Sequence, residues 1–134
     1  MQKKIIPTES QEQQKAIEYC HLLGLNLAYS TQNGVWLSDR SKSYQIAAKQ
    51  RKEGLLKGLP DLCLPYPQKK YHGFYIEMKR VKGGVVSPEQ LDIIKQLEQQ
   101  GYYVAVCRGF EEAKKEIDNY FSGYLTLNRF KSCF

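Results

Sequence analysis

Apolar residues along this chain recur with two periods, and the places where one gives way to the other outline its elements. After Pro7-Thr8, the residues Ala16, Ile17, Cys20 and Leu23 repeat at helical spacing, which predicts an amphipathic first helix closing near Gly24. Leu25 to Ser30 reads as a short strand running into the turn pair Asn33-Gly34. Residues 41–53 read as a second helix, stopped by Gly54 and followed by a connection through Gly58 and Pro60. Asp61 to Pro65 and Gly73 to Lys79 read as two strands joined by a polar loop, a hairpin. Ser87-Pro88-Glu89-Gln90 opens a third helix, with Ser as N-cap, Pro in the first helical position and Leu91, Ile94 and Leu97 as its buried stripe. Tyr102 to Cys107 is a continuous apolar strand, and Phe110, Ala113, Ile117 and Tyr120 mark a last helix. The order αβαββαβα implies an α/β domain with a mixed sheet of about four strands flanked by helices, because a strand that follows a helical crossover tends to lie parallel to the one before it. Residues 122–134 carry no period and form a C-terminal tail that either covers a sheet edge or meets a second subunit.

The strand Phe74-Tyr75-Ile76-Glu77-Met78-Lys79 changes this picture from architecture to chemistry. Alternation places Phe74, Ile76 and Met78 on one face and Tyr75, Glu77 and Lys79 on the other. A Glu-Lys pair is unexpected on a strand covered on both faces, since burying charge is costly without partners or a metal. Alone, a Glu-x-Lys triplet is an ordinary exposed ion pair, and a second copy at Glu112-Ala113-Lys114 falls on a helix, where residues two apart diverge. The first copy differs because Pro60-Asp61 precedes it at the mouth of the neighbouring strand. If the hairpin forms, Asp61 and Glu77 converge. Two carboxylates suit magnesium, which takes one or two and fills an octahedral shell with water and phosphate. Lys79 would then bring positive charge to a phosphate or an attacking water. Asp61 has a plainer reading as a turn aspartate. On the first helix, Glu12 shares the stripe of Ala16 and Cys20, and Glu9 shares much of that face; either is also readable as a first-turn acid favoured by the helix dipole. Gln90 completes a capping box and also faces the sheet.

Charge narrows the partner. Twenty Lys and Arg against fourteen Asp and Glu leave a net charge of +6, which favours a polyanion. Lys42, Lys49, Arg51 and Lys52 concentrate this charge on the second helix and are the candidate DNA contacts. A membrane is disfavoured, because no apolar run approaches the roughly 20 residues a bilayer span needs; no signal-peptide core follows Met1, so the cytoplasm is the expected location. The 134 residues suit one domain. Cys20, Cys63, Cys107 and Cys133 form no CxxC pair and read as reduced thiols.

Taken in order, Gly58-Leu59-Pro60-Asp61-Leu62, Gly73-Phe74-Tyr75-Ile76-Glu77-Met78-Lys79, Ser87-Pro88-Glu89-Gln90, Gly101-Tyr102-Tyr103-Val104 and Cys107-Arg108-Gly109-Phe110 resemble the VRR-NUC (virus-type replication-repair nuclease) domain of the PD-(D/E)xK superfamily. The resemblance extends from Thr8 to about Tyr120. It implies a restriction-endonuclease-like three-layer core and a phage-type or prophage-type nuclease, in the host cytoplasm if phage-encoded, that uses Mg²⁺ or Mn²⁺ and no organic cofactor. Asp61 and Glu77 would bind the metal, with the Met78 carbonyl as a further ligand. Lys79 would be the catalytic lysine, Gln90 the residue orienting it or the water, and Glu12 the helical glutamate. Asn33 falls at the family's Asn-Gly station, although Gln32 stands where a proline is expected, and is a candidate substrate contact. Branched DNA such as a Holliday junction or flap is the expected substrate, with a homodimer supplying paired cuts for a repair or replication role. A sequence-specific or packaging endonuclease and a non-catalytic DNA-binding module are the competing readings.

Overall fold

The computed structural model describes residues 3–31 and 40–124, and their order of elements is α1 (Glu9–Leu22), β1 (Tyr29–Ser30), α2 (Arg40–Lys52), β2 (Leu62–Leu64), β3 (Phe74–Lys79), α3 (Pro88–Gln99), β4 (Tyr103–Arg108) and α4 (Phe110–Tyr120). The strands form one sheet in the order β1-β2-β3-β4. Strands β1, β2 and β3 are antiparallel neighbours, while β4 returns through α3 to lie parallel to β3. This is the mixed, helix-flanked α/β sheet that the period changes predict.

Burial on β3 explains the layers. Phe74, Ile76 and Met78 are wholly buried and join Ala16 and Cys20 of α1 and Ala113, Ile117 and Tyr120 of α4 in one core. Small residues on α1 let it approach closely. At the start of β3 the core turns aromatic: Phe74 stacks on Tyr120 with centroids 4.7 Å apart, and the Tyr120 hydroxyl donates to the Tyr66 carbonyl at 2.6 Å. The opposite face of β3, bearing Glu77 and Lys79, lies under the start of α3.

Three boundaries differ from the sequence reading. The strand expected from Leu25 reduces to Tyr29–Ser30, because the Leu25 N–H donates to Cys20 O at 2.9 Å in the turn that closes α1. The hairpin strand expected from Asp61 starts at Leu62. The strand expected from Tyr102 to Cys107 runs from Tyr103 to Arg108, and Val106 is 38% exposed because β4 is an edge of the sheet. Asn33 and residues 125–134 of the tail lie outside the described residues, and Tyr124 packs on Phe121 and Tyr66.

Helix α4 begins at Gly109, which has no side chain to cap the free N–H groups of the first turn. Glu12 of α1 supplies what is missing, its Oε2 accepting from the Phe110 N–H at 2.6 Å while the side chain is 5% exposed. The contact ties the two core helices across the sequence. Replacing Glu12 with Ala therefore lowers stability by about 1–3 kcal/mol, the cost of an orphaned first-turn donor, measured as a lower urea midpoint; an unchanged midpoint contradicts the capping role.

Candidate active site

The site forms where the β2–β3 ladder stops. Leu62 pairs with Ile76 and Leu64 with Phe74. Continuing that register sets Asp61 opposite Glu77 on one face, where side chains of cross-strand neighbours meet, and Pro60 opposite Met78. Proline has no N–H to give, so the Met78 carbonyl meets no ladder donor from β2. The Pro60 carbonyl is already taken by the Thr31 hydroxyl at 2.6 Å, and the Asp61 carbonyl by the Thr31 N–H at 2.9 Å. The Met78 N–H instead donates to Asp61 Oδ2 at 2.7 Å. One proline thus ends the ladder, frees a carbonyl and turns the aspartate side chain toward the strand.

Two residues along the same face, Lys79 Nζ lies 3.1 Å from Glu77 Oε1, with Glu77 1% and Lys79 7% exposed. Gln90 completes the group, donating through Nε2 to Glu77 Oε1 at 2.8 Å and accepting at Oε1 from Lys79 Nζ at 3.2 Å and from the Ser87 N–H at 2.9 Å. Both readings of Gln90 are therefore true together, since the amide that closes the capping box of α3 also bridges the buried pair. Flipping the amide would set its NH₂ against two donors, so the cap fixes its orientation. The loop before β2 reaches this helix start through Gly58 (φ +88°), where an added Cβ would come within 2.9 Å of the Glu89 carbonyl.

The electrostatics are unbalanced. Burial, and then the neighbouring Asp61 carboxylate, push Glu77 from its usual 4.5 up to about 7, with Lys79 opposing the shift. Burial also raises Asp61, opposed by its bond from Met78 N–H, by Lys79 and by a side-chain hydrogen bond with Glu77 when one proton is shared between the two carboxyls. Glu77 Oε1 is fully engaged, yet Oε2 is buried and, among the described residues, no N–H or O–H donor reaches it. An orphaned carboxylate oxygen beside a second raised carboxyl and an unpaired carbonyl is a donor set for a hard divalent cation that keeps several waters. Among the described residues no group of three or more His, Cys, Asp or Glu side chains converges.

The remaining expected residues separate. Glu12 turns one carboxylate oxygen, Oε2, to the Phe110 N–H that opens α4. Glu9, one turn earlier, is the α1 acid that feels the site: burial raises its carboxyl, Lys79 lowers it and Asp61 raises it. Lys49, Arg51 and Lys52 are exposed on α2, where Lys49 pairs with Glu53 at 3.8 Å. Lys42 belongs to the same helix, its side chain lying outside the described residues, as does Asn33.

The chain matches the VRR-NUC domain family over residues 3–111. A solved structure described as a VRR-NUC domain protein superposes with a TM-score of 0.66 at 23% identity, covering 88% of this chain and 91% of the other, a likeness of fold. No curated protein matches.

The raised Glu77 carboxyl sets a pH dependence. Between 4.5 and about 7 the folded, metal-free protein holds a proton that the unfolded chain has released, so this contribution to stability is present below 4.5 and is lost as pH rises through 7. The thermal midpoint in EDTA falls from pH 5 to pH 8, and Glu77→Gln flattens that slope; a wild-type slope kept intact in Glu77→Gln assigns the proton elsewhere.

Proposed function

The chain belongs to the VRR-NUC family, a nuclease-type domain, and on that premise we propose that it is a metal-dependent deoxyribonuclease, an endonuclease that hydrolyses phosphodiester bonds in branched DNA. The observation that carries the reading is the buried, unpartnered Glu77 Oε2 beside Asp61, with Lys79 held against the same carboxylate. Asp61, Glu77 and the Met78 carbonyl would hold Mg²⁺, or Mn²⁺ in its place. When bound, such a cation stabilises charge developing on the phosphate and favours deprotonation of the attacking water.

The chain's own residues do the rest. Lys79 has three N–H donors, and Glu77 Oε1 and Gln90 Oε1 occupy two of them. The third serves the scissile phosphate, where a fixed ammonium opposes the growing negative charge without reorganising. Gln90 keeps Lys79 in place through the rigid start of α3. Water attacks phosphorus in line with the ester oxygen that leaves, one P–O bond forming as the opposite one breaks. Glu9 adds negative charge that favours retention of a cation, the role the sequence reading gave to Glu12. The net charge of +6 and the exposed Lys49, Arg51 and Lys52 on α2, with Lys42 in the same helix, suit a DNA substrate. Paired cuts in a four-way junction would come from a homodimer.

Pure protein is incubated with linear duplex, flap and four-way DNA in Mg²⁺. The wild type cuts the branched substrates, EDTA stops it, Glu77→Ala abolishes cleavage, and Lys79→Ala lowers the rate by about 10²–10³-fold. Glu9→Gln slows cleavage and raises the Mg²⁺ needed for half-maximal rate, whereas Glu12→Gln leaves that requirement unchanged. Cleavage persisting in EDTA removes the metal from the reading. Equal cutting of all three substrates removes branch selectivity, and discrete fragments from random duplex point to a sequence-specific enzyme. Salt-dependent binding with no cutting leaves a DNA-binding module.

A further inference from the structure

Lys79 has a cationic neighbour on the next strand. In the parallel register of β3 and β4, Lys79 pairs with Arg108 as Glu77 pairs with Val106, so all four side chains leave the sheet on the site's face. The Arg108 guanidinium is not left to wander. Its Nη1 donates to the Gly84 carbonyl at 2.6 Å, and Gly84 belongs to the segment that runs from Lys79 to α3. Gly84 lies against the lysine itself: an added Cβ would stand 3.0 Å from Lys79 Cβ and 3.2 Å from the Arg80 N. The absent side chain lets the segment fold down closely over the Lys79 stem, to where Arg108 reaches it.

This one bond tethers the guanidinium to the segment before α3 and occupies one of its five N–H donors. Arg108 is exposed, and among the described residues no carboxylate lies within ion-pairing distance of its guanidinium. Glu112, four residues on, turns its Oε2 to the Arg108 backbone N–H at 2.6 Å instead. A pinned, uncompensated guanidinium beside the site has the fork geometry that grips a phosphate through two N–H groups. Neighbouring strands stand about 4.8 Å apart, and one DNA strand presents a phosphate about every 3.4 Å of helix axis. A long, flexible-stemmed cation one strand over from Lys79 is within a side chain's reach of a phosphate next to the one that Lys79 serves.

We infer that Arg108 is a phosphate clamp, a positioning residue that grips the DNA backbone beside the scissile phosphate and sets the register in which the strand enters the site. The inference rests on the nuclease reading of Asp61, Glu77 and Lys79 and adds a contact that those residues do not make. Its ligand is a backbone phosphate, so the clamp reads no base.

The test replaces backbone phosphates one at a time with neutral methylphosphonates in a DNA substrate that the wild type cuts. For the wild-type protein, one substitution within two nucleotides of the cut lowers kcat/KM by about 10–100-fold, the worth of one charge-assisted pair. Arg108→Ala loses a similar factor on normal DNA and is then indifferent to that substitution, while staying sensitive to the others. Its binding in Ca²⁺ shows a log–log salt slope smaller by about 0.9. Arg108→Lys keeps the slope and recovers part of the rate. A thermal midpoint within a few degrees of wild type shows that the variants are folded. If Arg108→Ala remains sensitive to every methylphosphonate to the wild-type degree, or cuts normal DNA at the wild-type rate, the clamp is wrong while the nuclease stands. If the wild type cuts no DNA, the nuclease reading itself falls, and an unchanged salt slope for binding by Arg108→Ala then overturns the clamp separately.

Discussion

A carboxylate with 1% of its surface exposed, one oxygen saturated and the other without a partner, is the constraint around which this protein is arranged. Glu77 could be made comfortable by a second donor at Oε2, and among the described residues none reaches it. The surrounding chain supplies instead a second carboxyl at Asp61, which worsens the repulsion, and an ammonium at Lys79 that engages only the oxygen already bonded to Gln90. Buried ion pairs often stabilise little once desolvation is counted, and this one is held in an unfinished state. Such an arrangement persists only where the rest of the fold is strong enough to impose it.

That strength comes from the other face of the same strand. Phe74, Ile76 and Met78 are wholly buried against α1 and α4, so β3 cannot shift its register without moving three apolar side chains into the site and three polar ones into the core. The aromatic cluster of Phe74, Tyr103 and Tyr120 anchors the start of the strand, and the charged residues occupy its end. Stability and chemistry are thus separated along one six-residue segment, in two directions at once: across the sheet by alternation and along it by position.

Much of this was legible in the chain because its causes are local. Alternation on β3, the hairpin that opposes Asp61 to Glu77 and the capping box at Ser87 depend on neighbours within a few residues, and the element order followed from them. The different surroundings of Glu9 and Glu12 were not local. Both acids lie on one side of α1, and Glu12 is drawn away by the uncapped start of α4, 98 residues along the chain. Helical spacing alone cannot register a glycine cap that distant. Arg108 was hidden for a related reason: its nearness to Lys79 is a property of the parallel β3–β4 register, which periodicity does not specify. The role of Pro60 became visible only once Leu62 was paired with Ile76.

Gln90 joins these threads. Its side-chain oxygen accepts the Ser87 N–H that every helix start must satisfy, and the same atom accepts from Lys79. The amide cannot orient for the lysine until α3 has formed its first turn, nor can it reorient afterwards without breaking that turn's cap. Helix formation and assembly of the site are therefore one event. The lysine that would meet a phosphate is aimed by a residue whose own geometry is set by the backbone, while the buried Oε2 of Glu77 is left without a donor among the described residues.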